Sequence, residues 1–347
     1  MRQTMAYGSR GSSTVTAQRI ERRELRPSDV AIDVTYCGVC HSDLHALREH
    51  ASRGSGDLLV PGHEFVGTVS AIGADVAEFA VGDPVAVGNI VDSCGVCDMC
   101  RSGQENFCRE FPTTTYGGRD RIDGSPTLGG YAGEYVAHEK FVYHRPPHLD
   151  PAAVAPLMCA GITVWEPLSQ RNVGPGSTVG VVGLGGLGHL AVKLARARGA
   201  SVIVFTTTPA KADDARALGA DEVVVSTDAE AMGRMRGRID LIIDTVAVQH
   251  PLEPYLDALA LDGALSLVGY LGNVSVNVLS LLIGRKSLTS AGSGGRSYTQ
   301  ELLDFCGEND IVADVEVLPS SRVNTALDRL GRNDVRYRFV IDMADLA

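Results

Sequence analysis

The sequence predicts an α/β protein of two domains, a mostly antiparallel β domain followed by a doubly wound parallel sheet. The chain has 347 residues, which is more than one hydrophobic core usually supports. Short alternating runs separated by glycine, proline and aspartate come first, and continuous apolar runs interleaved with helical patterns follow. The composition, with 44% hydrophobic and 21% charged residues, is typical of an ordered globular protein.

The first domain is predicted over residues 1–150. From Ser28 to about Val142, runs such as DVAIDVTY, FVGTVSAI and DPVAVGNI alternate apolar with polar residues. This period of two is typical of half-buried antiparallel strands, and the turn residues between the runs predict an irregular sheet.

The second domain is predicted over residues 151–292. From Ser177 onwards, the apolar runs STVGVVG, SVIVFTTT and IDLIIDTV are interleaved with amphipathic segments such as GHLAVKLARARGA. Continuous Val, Ile and Leu strands with helices between them predict a parallel sheet that is covered on both faces. Residues 293–347 predict strand, helix and strand; the pattern fits either domain, and we assign it to the first.

Charge and hydropathy exclude two classes of partner, nucleic acid and membrane. The formal net charge is -11, and no run of basic residues is longer than Arg22–Arg23, so a nucleic-acid backbone would be repelled. No apolar run approaches membrane-spanning length, and the amino terminus lacks the apolar core of a signal peptide. We therefore expect a cytoplasmic protein that binds neither nucleic acid nor membrane.

Four cysteines are clustered in the segment CGVCDMCRSGQENFC. Cys94, Cys97, Cys100 and Cys108 follow the spacing C-x2-C-x2-C-x7-C, which lets successive thiolates converge on one tetrahedral Zn²⁺. An iron–sulfur cluster is the alternative, but the last gap is longer than in ferredoxins and no proline follows Cys108. Four protein ligands leave no open position, so this zinc is predicted to stabilise a loop.

A second group of side chains outside that cluster suits another metal. Taken singly, each is more often an ordinary buried cysteine or a hydrogen-bonded polar residue. A catalytic zinc with three ligands from separate segments and a fourth position for substrate would lie in a cleft between the two domains. The candidates are Cys37, Cys40, His41, His45, His63, Glu64 and Cys159.

The segment VGVVGLGGLGHLAVKLA predicts a dinucleotide site. It places Gly183-x-Gly185-x-x-Gly188 after a strand and before a helix, where the chain can turn tightly and present a helix amino terminus to a pyrophosphate. We expect the cofactor to contact the whole turn, which comprises Gly183, Leu184, Gly185, Gly186, Leu187 and Gly188.

The end of the next strand predicts NADP(H) in preference to NAD(H). An NAD enzyme usually has Asp or Glu there, whereas this chain has Thr206, Thr207 and Thr208 followed by Lys211. Hydroxyl donors and a cation suit a 2′-phosphate, which a carboxylate would repel. The alternative is that Thr207 and Thr208 only end the strand and cap the helix at Pro209.

Together the motifs resemble one enzyme family. GVCHSDLH, VPGHEFVGTVSAIG, the four-cysteine segment, PLMCAGITVW and GLGGLGHLAVKLA occur in the order seen in zinc-dependent medium-chain dehydrogenases/reductases. They are most similar to the cinnamyl alcohol dehydrogenase-like branch, of the bacterial broad-specificity aldehyde reductase type. The resemblance covers about Asp29 to Gly292, and it implies a GroES-like catalytic domain, a Rossmann cofactor domain and a homodimer.

The resemblance also implies roles for individual residues. Cys40, His63 and Cys159 would hold the catalytic zinc, giving two zinc ions per chain, and Glu64 would be an alternate ligand. Cys37 would be packed behind the site.

Three neighbours acquire roles from their chemistry and from the resemblance. Ser42 is suited to hydrogen-bond the substrate oxygen, and His45 to connect that hydroxyl to solvent. Asp43 would orient the His63 ring. The alternative for Ser42 and Asp43 is a helix cap.

The expected activity is reversible hydride transfer between NADPH and aromatic or aliphatic aldehydes, giving primary alcohols. Ile90, the segment Phe111 to Gly118 and Trp165 are candidate pocket walls, and Trp165 fits a core position equally well. Two alternatives are an NAD-linked polyol or secondary alcohol dehydrogenase and a non-catalytic, zinc-stabilised NADPH-binding protein.

Overall fold

A computed structural model describes residues 1–54 and 56–346. The chain divides into two compact units: the first comprises Met1–Cys159 and Gly294–Ala347, and the second comprises Ala160–Ser293. The strands are β1 (Arg2–Gly8), β2 (Thr16–Arg22), β3 (Asp29–Val39), β4 (Phe65–Ile72), β5 (Pro84–Val87), β6 (Ile90–Asp92), β7 (Thr113–Thr114), β8 (Glu134–His138), β9 (Tyr143–His144), β10 (Thr178–Val182), β11 (Ser201–Thr206), β12 (Glu222–Val225), β13 (Ile239–Asp244), β14 (Leu259–Leu267), β15 (Ser287–Ser290), β16 (Val315–Pro319) and β17 (Arg338–Asp342).

The helices are mostly short. They are α1 (His41–Arg53), α2 (Asp98–Arg101), α3 (Pro151–Val154), α4 (Ala160–Gln170), α5 (Gly188–Ala197), α6 (Ala212–Ala217), α7 (Ala229–Gly233), α8 (Glu253–Ala258), α9 (Val278–Leu282), α10 (Arg296–Glu308) and α11 (Val323–Leu330). No single helix in the described part of the chain is long and apolar enough to cross a membrane; residues 151–158 and 160–170 reach that length only as a bent pair.

The first unit is built on a seven-stranded sheet. Its order is β16-β17-β3-β4-β5-β9, with β8 also paired to β3. All neighbours are antiparallel except β16 and β17, which run parallel. The long strand β3 is almost wholly buried because it has partners on each side. This central strand carries the chain to the candidate metal ligands.

The second unit is a six-stranded, wholly parallel sheet. Its order is β12-β11-β10-β13-β14-β15, so the winding direction reverses beside β10. The apolar strands β10, β11 and β13 are almost entirely buried, as a sheet covered on both faces requires. The predicted fold class, an antiparallel β domain with a doubly wound parallel sheet, is confirmed.

The chain passes between the units after Cys159 and after Ser293, whereas the expected boundaries follow residues 150 and 292. The first unit extends to Cys159 and not to residue 150, because α3 packs against β3, β4, β16 and β17. The carboxyl-terminal segment, whose strand-helix-strand pattern fitted either domain, contributes β16, α11 and β17 to the first unit.

Candidate active site

Three candidate ligands converge in the first unit. Sγ of Cys40, a ring nitrogen of His63 and Sγ of Cys159 all lie within 4.8 Å of one another. The two sulfurs are 3.9 Å apart, and Nε2 of His63 lies 3.2 Å from Sγ of Cys159. All three side chains are largely buried, and the residues come from positions up to 119 apart in the chain.

The pairing of β3 with β4 explains how two of these residues meet. Cys37 of β3 lies opposite Phe65 of β4 in an antiparallel register. The chain beyond Cys37 and the chain before Phe65 therefore lie at the same end of the strand pair, which brings Cys40 and His63 together. Cys40 is also the N-cap of α1, so the helix begins directly at the candidate ligand.

The buried carboxylate of Asp43 determines which nitrogen of His63 is free. Oδ2 of Asp43 accepts from the Cys40 backbone N–H at 2.9 Å, and Oδ1 accepts from the Gly62 backbone N–H at 3.1 Å. Nδ1 of His63 lies 3.0 Å from the same Oδ1. Because a carboxylate only accepts, Nδ1 must carry the hydrogen. The lone pair of Nε2 is thereby left facing the two sulfurs.

The donor set fits a zinc ion with an open coordination position. Two cysteine sulfurs and one imidazole nitrogen are ligands that Zn²⁺ accepts, and three protein ligands are the number found in catalytic zinc sites. The contact with Cys159, and then that with His63, lowers the pKa of Cys40, while the contact with Cys40 raises the pKa of Cys159. One of the two sulfurs is therefore favoured as the thiolate that a metal requires.

Glu64 is not part of this group of converging donor atoms. Its fully buried carboxylate forms an ion pair with Arg338 of β17. A Cβ at Gly38 would lie 2.5 Å from Oε1 of Glu64, so only glycine leaves room for the carboxylate there. Burial raises the pKa of Glu64 to about 8, and Arg338 acts in the opposite direction. Since Arg338 holds the side chain, Glu64 lies beside the converging donor atoms as the partner of Arg338.

The predicted relay residues lie on one face of α1. Oγ of Ser42 is 3.6 Å from Sγ of Cys40, and the Ser42 and His45 side chains are exposed. They are three residues apart in the helix and therefore neighbours on its surface. Asp43 on the next face is fully buried, so its helix-capping role and its contact with His63 coexist. Cys37 is buried in the core of this unit.

Two neighbours of the site were not assigned individually from the sequence. Tyr116 packs edge-on against the His63 ring with 5.7 Å between the ring centres; it lies in the segment that was predicted to line the pocket. No sequence pattern indicated Arg338, because its partner Glu64 is 274 positions away.

Of the other wall candidates, Trp165 is 1% exposed and the guanidinium of Arg198 lies 4.7 Å from its ring centre. This is a core environment in the second unit.

The four clustered cysteines form a second group of donor atoms. The sulfurs of Cys94, Cys97, Cys100 and Cys108 lie within 4.8 Å of one another. Backbone N–H groups of the segment point at three of the sulfurs at 3.4 to 3.5 Å. Hydrogen bonds from the Arg109 backbone, and next from the Cys100 backbone, lower the pKa of Cys97 to about 6. Burial raises the pKa of Cys100 to about 12 while no ion is bound. Four converging sulfurs fit a tetrahedral zinc with no open position.

The glycine-rich turn has the expected place between β10 and α5. Gly183 has a φ of +86°, and a Cβ at Gly188 would lie 2.1 Å from the Gly183 carbonyl oxygen. Nothing lies within 4 Å of a Cβ built at Gly185, which is exposed. Leu184 is buried, whereas Gly186 and Leu187 are partly exposed. The turn therefore needs glycine for its shape and leaves Gly185 open to a ligand.

The three threonines at the carboxyl end of β11 do not all face solvent. Thr206 is 5% exposed, and its hydroxyl accepts the Thr208 backbone N–H at 3.1 Å. Thr206 thus shapes the turn, while Thr207 and Thr208 are exposed. Nζ of Lys211 donates to the Leu184 carbonyl at 3.3 Å, which places this cation beside the glycine-rich turn.

Comparisons with known proteins identify the family. The alcohol dehydrogenase GroES-like domain matches residues 26–147, and the zinc-binding dehydrogenase domain matches residues 186–308. Aldehyde reductase YahK of Escherichia coli is 48% identical over 326 residues, which is 93% of each chain. The chain belongs to the zinc-dependent medium-chain dehydrogenase/reductase family.

Solved structures of this family agree in fold. A cinnamyl alcohol dehydrogenase of Sorghum bicolor superposes with a TM-score of 0.94 at 40% identity, covering 100% of this chain and 99% of its own. The cinnamyl alcohol dehydrogenase of Helicobacter pylori, solved with NADP(H), gives a TM-score of 0.89 at 33% identity and 98% coverage of both chains. The chain is thus an alcohol dehydrogenase or aldehyde reductase of the medium-chain family.

Proposed function

We propose that this dehydrogenase transfers hydride reversibly between NADP(H) and aromatic or aliphatic aldehydes, giving primary alcohols, at the centre formed by Cys40, His63 and Cys159. The observation that carries the proposal is the convergence of these three donor atoms within 4.8 Å beside Ser42. The Escherichia coli relative is named an aldehyde reductase, which supports the choice of substrate class.

Different residues of the chain would hold the metal and transfer the proton. Zinc held by the three ligands would supply a Lewis acid for the carbonyl oxygen, and NADPH would supply the hydride. Asp43 keeps the imidazole of His63 in the tautomer that presents Nε2. As the carbonyl carbon gains hydride, the Ser42 hydroxyl donates a proton to the oxygen, and the exposed imidazole of His45 returns a proton from solvent.

The cofactor preference is assigned to the turn after β11. The exposed hydroxyls of Thr207 and Thr208 and the cation of Lys211 form a surface that carries no carboxylate against a 2′-phosphate. A Rossmann turn that leaves Gly185 open beside Lys211 suits the pyrophosphate. The Helicobacter pylori relative was solved with NADP(H), in agreement with this assignment.

Assembly and location complete the proposal. Helix α9 exposes Val278, Leu279 and Leu282 by 55% or more, and β15 is an edge strand of the parallel sheet. An apolar face beside an open edge suits pairing with a second copy, so we assign a homodimer. All eight cysteines are free thiols and six of them lie in two metal-binding groups, which suits the reducing cytoplasm.

The test is an assay of NADPH oxidation with benzaldehyde. Replacing Cys40 by Ala removes one of three ligands, so turnover is expected to fall at least 1000-fold while NADPH binding, followed by fluorescence titration, stays within about twofold. Cys306→Ala is the control, because this cysteine is equally buried and belongs to neither group of donor atoms.

Three outcomes would refute parts of the proposal. Full activity of the Cys40→Ala variant would remove Cys40 from the catalytic centre. Oxidation of polyols or secondary alcohols with NAD⁺, at rates above those for aldehydes with NADPH, would favour a polyol dehydrogenase. NADPH binding without turnover across a panel of aldehydes would favour a non-catalytic protein.

A further inference from the structure

Asp43 also has a hydrogen-bond partner outside the two segments that carry Cys40 and His63. The hydroxyl of Tyr131 donates to Oδ2 of Asp43 at 3.3 Å. Oδ1 accepts from Gly62 and His63, and Oδ2 accepts from Cys40 and Tyr131; the Tyr116 side chain is a further polar contact of this carboxylate. A fully buried carboxylate needs such donors to replace the hydrogen bonds that it would form with water. Tyr131 supplies the fourth.

The backbone around Tyr131 is also joined to the segment that leads into His63. Residues 129, 130 and 131 donate to the carbonyls of residues 60, 62 and 61 at 2.7, 2.8 and 3.0 Å. A Cβ at Gly62 would lie 2.7 Å from the Tyr131 nitrogen, and a Cβ at Gly129 would lie 2.2 Å from the Pro61 oxygen. Glycines on both sides thus allow the two segments to lie in direct contact. Tyr131 is fully buried.

We propose that Tyr131 is a positioning residue for the metal ligand His63. Its hydroxyl holds Oδ2 of Asp43, the oxygen that does not face the imidazole, and Asp43 in turn fixes the orientation and the tautomer of His63. Without the hydroxyl, Oδ2 keeps one donor and the carboxylate can rotate, so Nε2 is held less firmly towards Cys40 and Cys159. The inference rests on the proposed function only in taking His63 as a metal ligand.

Tyr131→Phe tests the inference and Tyr135→Phe is its matched control. Both rings are buried, and the Tyr135 hydroxyl donates to the Thr115 carbonyl at 3.0 Å without contacting Asp43. Metal release from the zinc-loaded enzyme into a coloured chelator is the readout; the phase that is absent from the Cys40→Ala variant belongs to the catalytic centre. Tyr131→Phe should release that zinc about tenfold faster, because mutating a residue that orients a metal-bound histidine commonly weakens metal binding by at least that factor. Tyr135→Phe should match the wild type.

Cobalt substitution provides a second readout that a purely structural role would not change. The absorption bands of Co²⁺ at the Cys40–His63–Cys159 centre should shift in Tyr131→Phe and stay in place in Tyr135→Phe. In an Asp43→Asn background, Tyr131→Phe should have no further effect, because it acts through Asp43.

The outcomes separate this inference from the proposed function. Unchanged release and spectrum in Tyr131→Phe, with a clear change in Asp43→Asn, overturn the role of Tyr131 alone. No change in either variant overturns the assignment of His63 as a ligand. Equal changes in Tyr131→Phe and Tyr135→Phe show a general loss of packing and also overturn the inference.

Discussion

Two carboxylates buried beside Cys40, His63 and Cys159 have different kinds of partner. Asp43 accepts only from hydrogen-bond donors of its surroundings, whereas Glu64 faces the guanidinium of Arg338. Removing one partner of a buried ion pair typically costs about 3–5 kcal/mol, because the remaining charge has no compensation. Hydrogen bonds to a charged group contribute about 1.5–3 kcal/mol each. The contacts of both carboxylates therefore stabilise the segments that carry Cys40 and His63 within the first unit.

Replacing Thr207 by Asp is expected to move the cofactor preference towards NADH. Thr207 is exposed at the carboxyl end of β11, where a new carboxylate repels a 2′-phosphate and accepts from ribose hydroxyls. The ratio of kcat/KM with NADPH to that with NADH should fall at least tenfold. Ser201→Asp is the control, since it adds the same charge at the amino end of the same strand. An unchanged ratio in Thr207→Asp contradicts the phosphate-site assignment.

At the scale of elements, the four-cysteine loop is attached to α10. Oε2 of the buried Glu105 accepts the backbone N–H of Arg296 at 2.9 Å, and Oγ of Ser297 donates to the Gly103 carbonyl at 3.4 Å. A carboxylate at the amino end of a helix is electrostatically favourable. The loop thus joins two parts of the first unit that are far apart in sequence.

Replacing Cys97 by Ser should remove one of two zinc ions. Metal analysis should give two zinc ions for the wild type and one each for Cys97→Ser and Cys40→Ala, because the variants belong to different donor groups. Loss of the loop zinc should also expose residues 94–108 to proteases and lower the Tm, by roughly 2–4 °C for each kcal/mol lost. Two zinc ions in purified Cys97→Ser contradict the structural-zinc assignment; Cys306→Ser controls for the change of sulfur to oxygen.

At the scale of the whole molecule, each unit has its own hydrophobic core and its own sheet. The chain leaves the first unit after Cys159 and returns to it at Gly294. Cys159 is therefore the last residue before the second unit begins, and its sulfur lies with the donor atoms of Cys40 and His63.

Replacing Leu282 by Glu is expected to abolish the proposed dimer. Leu282 is 68% exposed on α9, among several other exposed apolar side chains, and a buried unpaired charge at a contact between two copies is strongly unfavourable. Analytical ultracentrifugation should give a dimer for the wild type and a monomer for Leu282→Glu. Val81→Glu, at a 63% exposed position in the first unit, should remain a dimer. A dimer in both variants would place the interface elsewhere.

Features that depend on short stretches of chain were accessible from the sequence alone. The alternation of apolar runs with helical patterns predicted the parallel sheet, and the spacing of Cys94, Cys97, Cys100 and Cys108 predicted converging sulfurs. The glycine-rich turn was predicted in the same way. In each case a few consecutive peptide units restrict the geometry so strongly that residue types and spacing are sufficient.

Features that depend on distant segments were decided only by the tertiary structure. Cys37 and Cys40 are three residues apart, yet one is buried in the core and the other joins His63 and Cys159, because β3 ends between them. Arg338 reaches Glu64 only because β17 pairs with β3, and Tyr131 reaches Asp43 only because its segment lies against residues 60–62. No local pattern encodes these contacts, since each arises from sheet pairing and close packing between parts of the chain that are far apart in sequence.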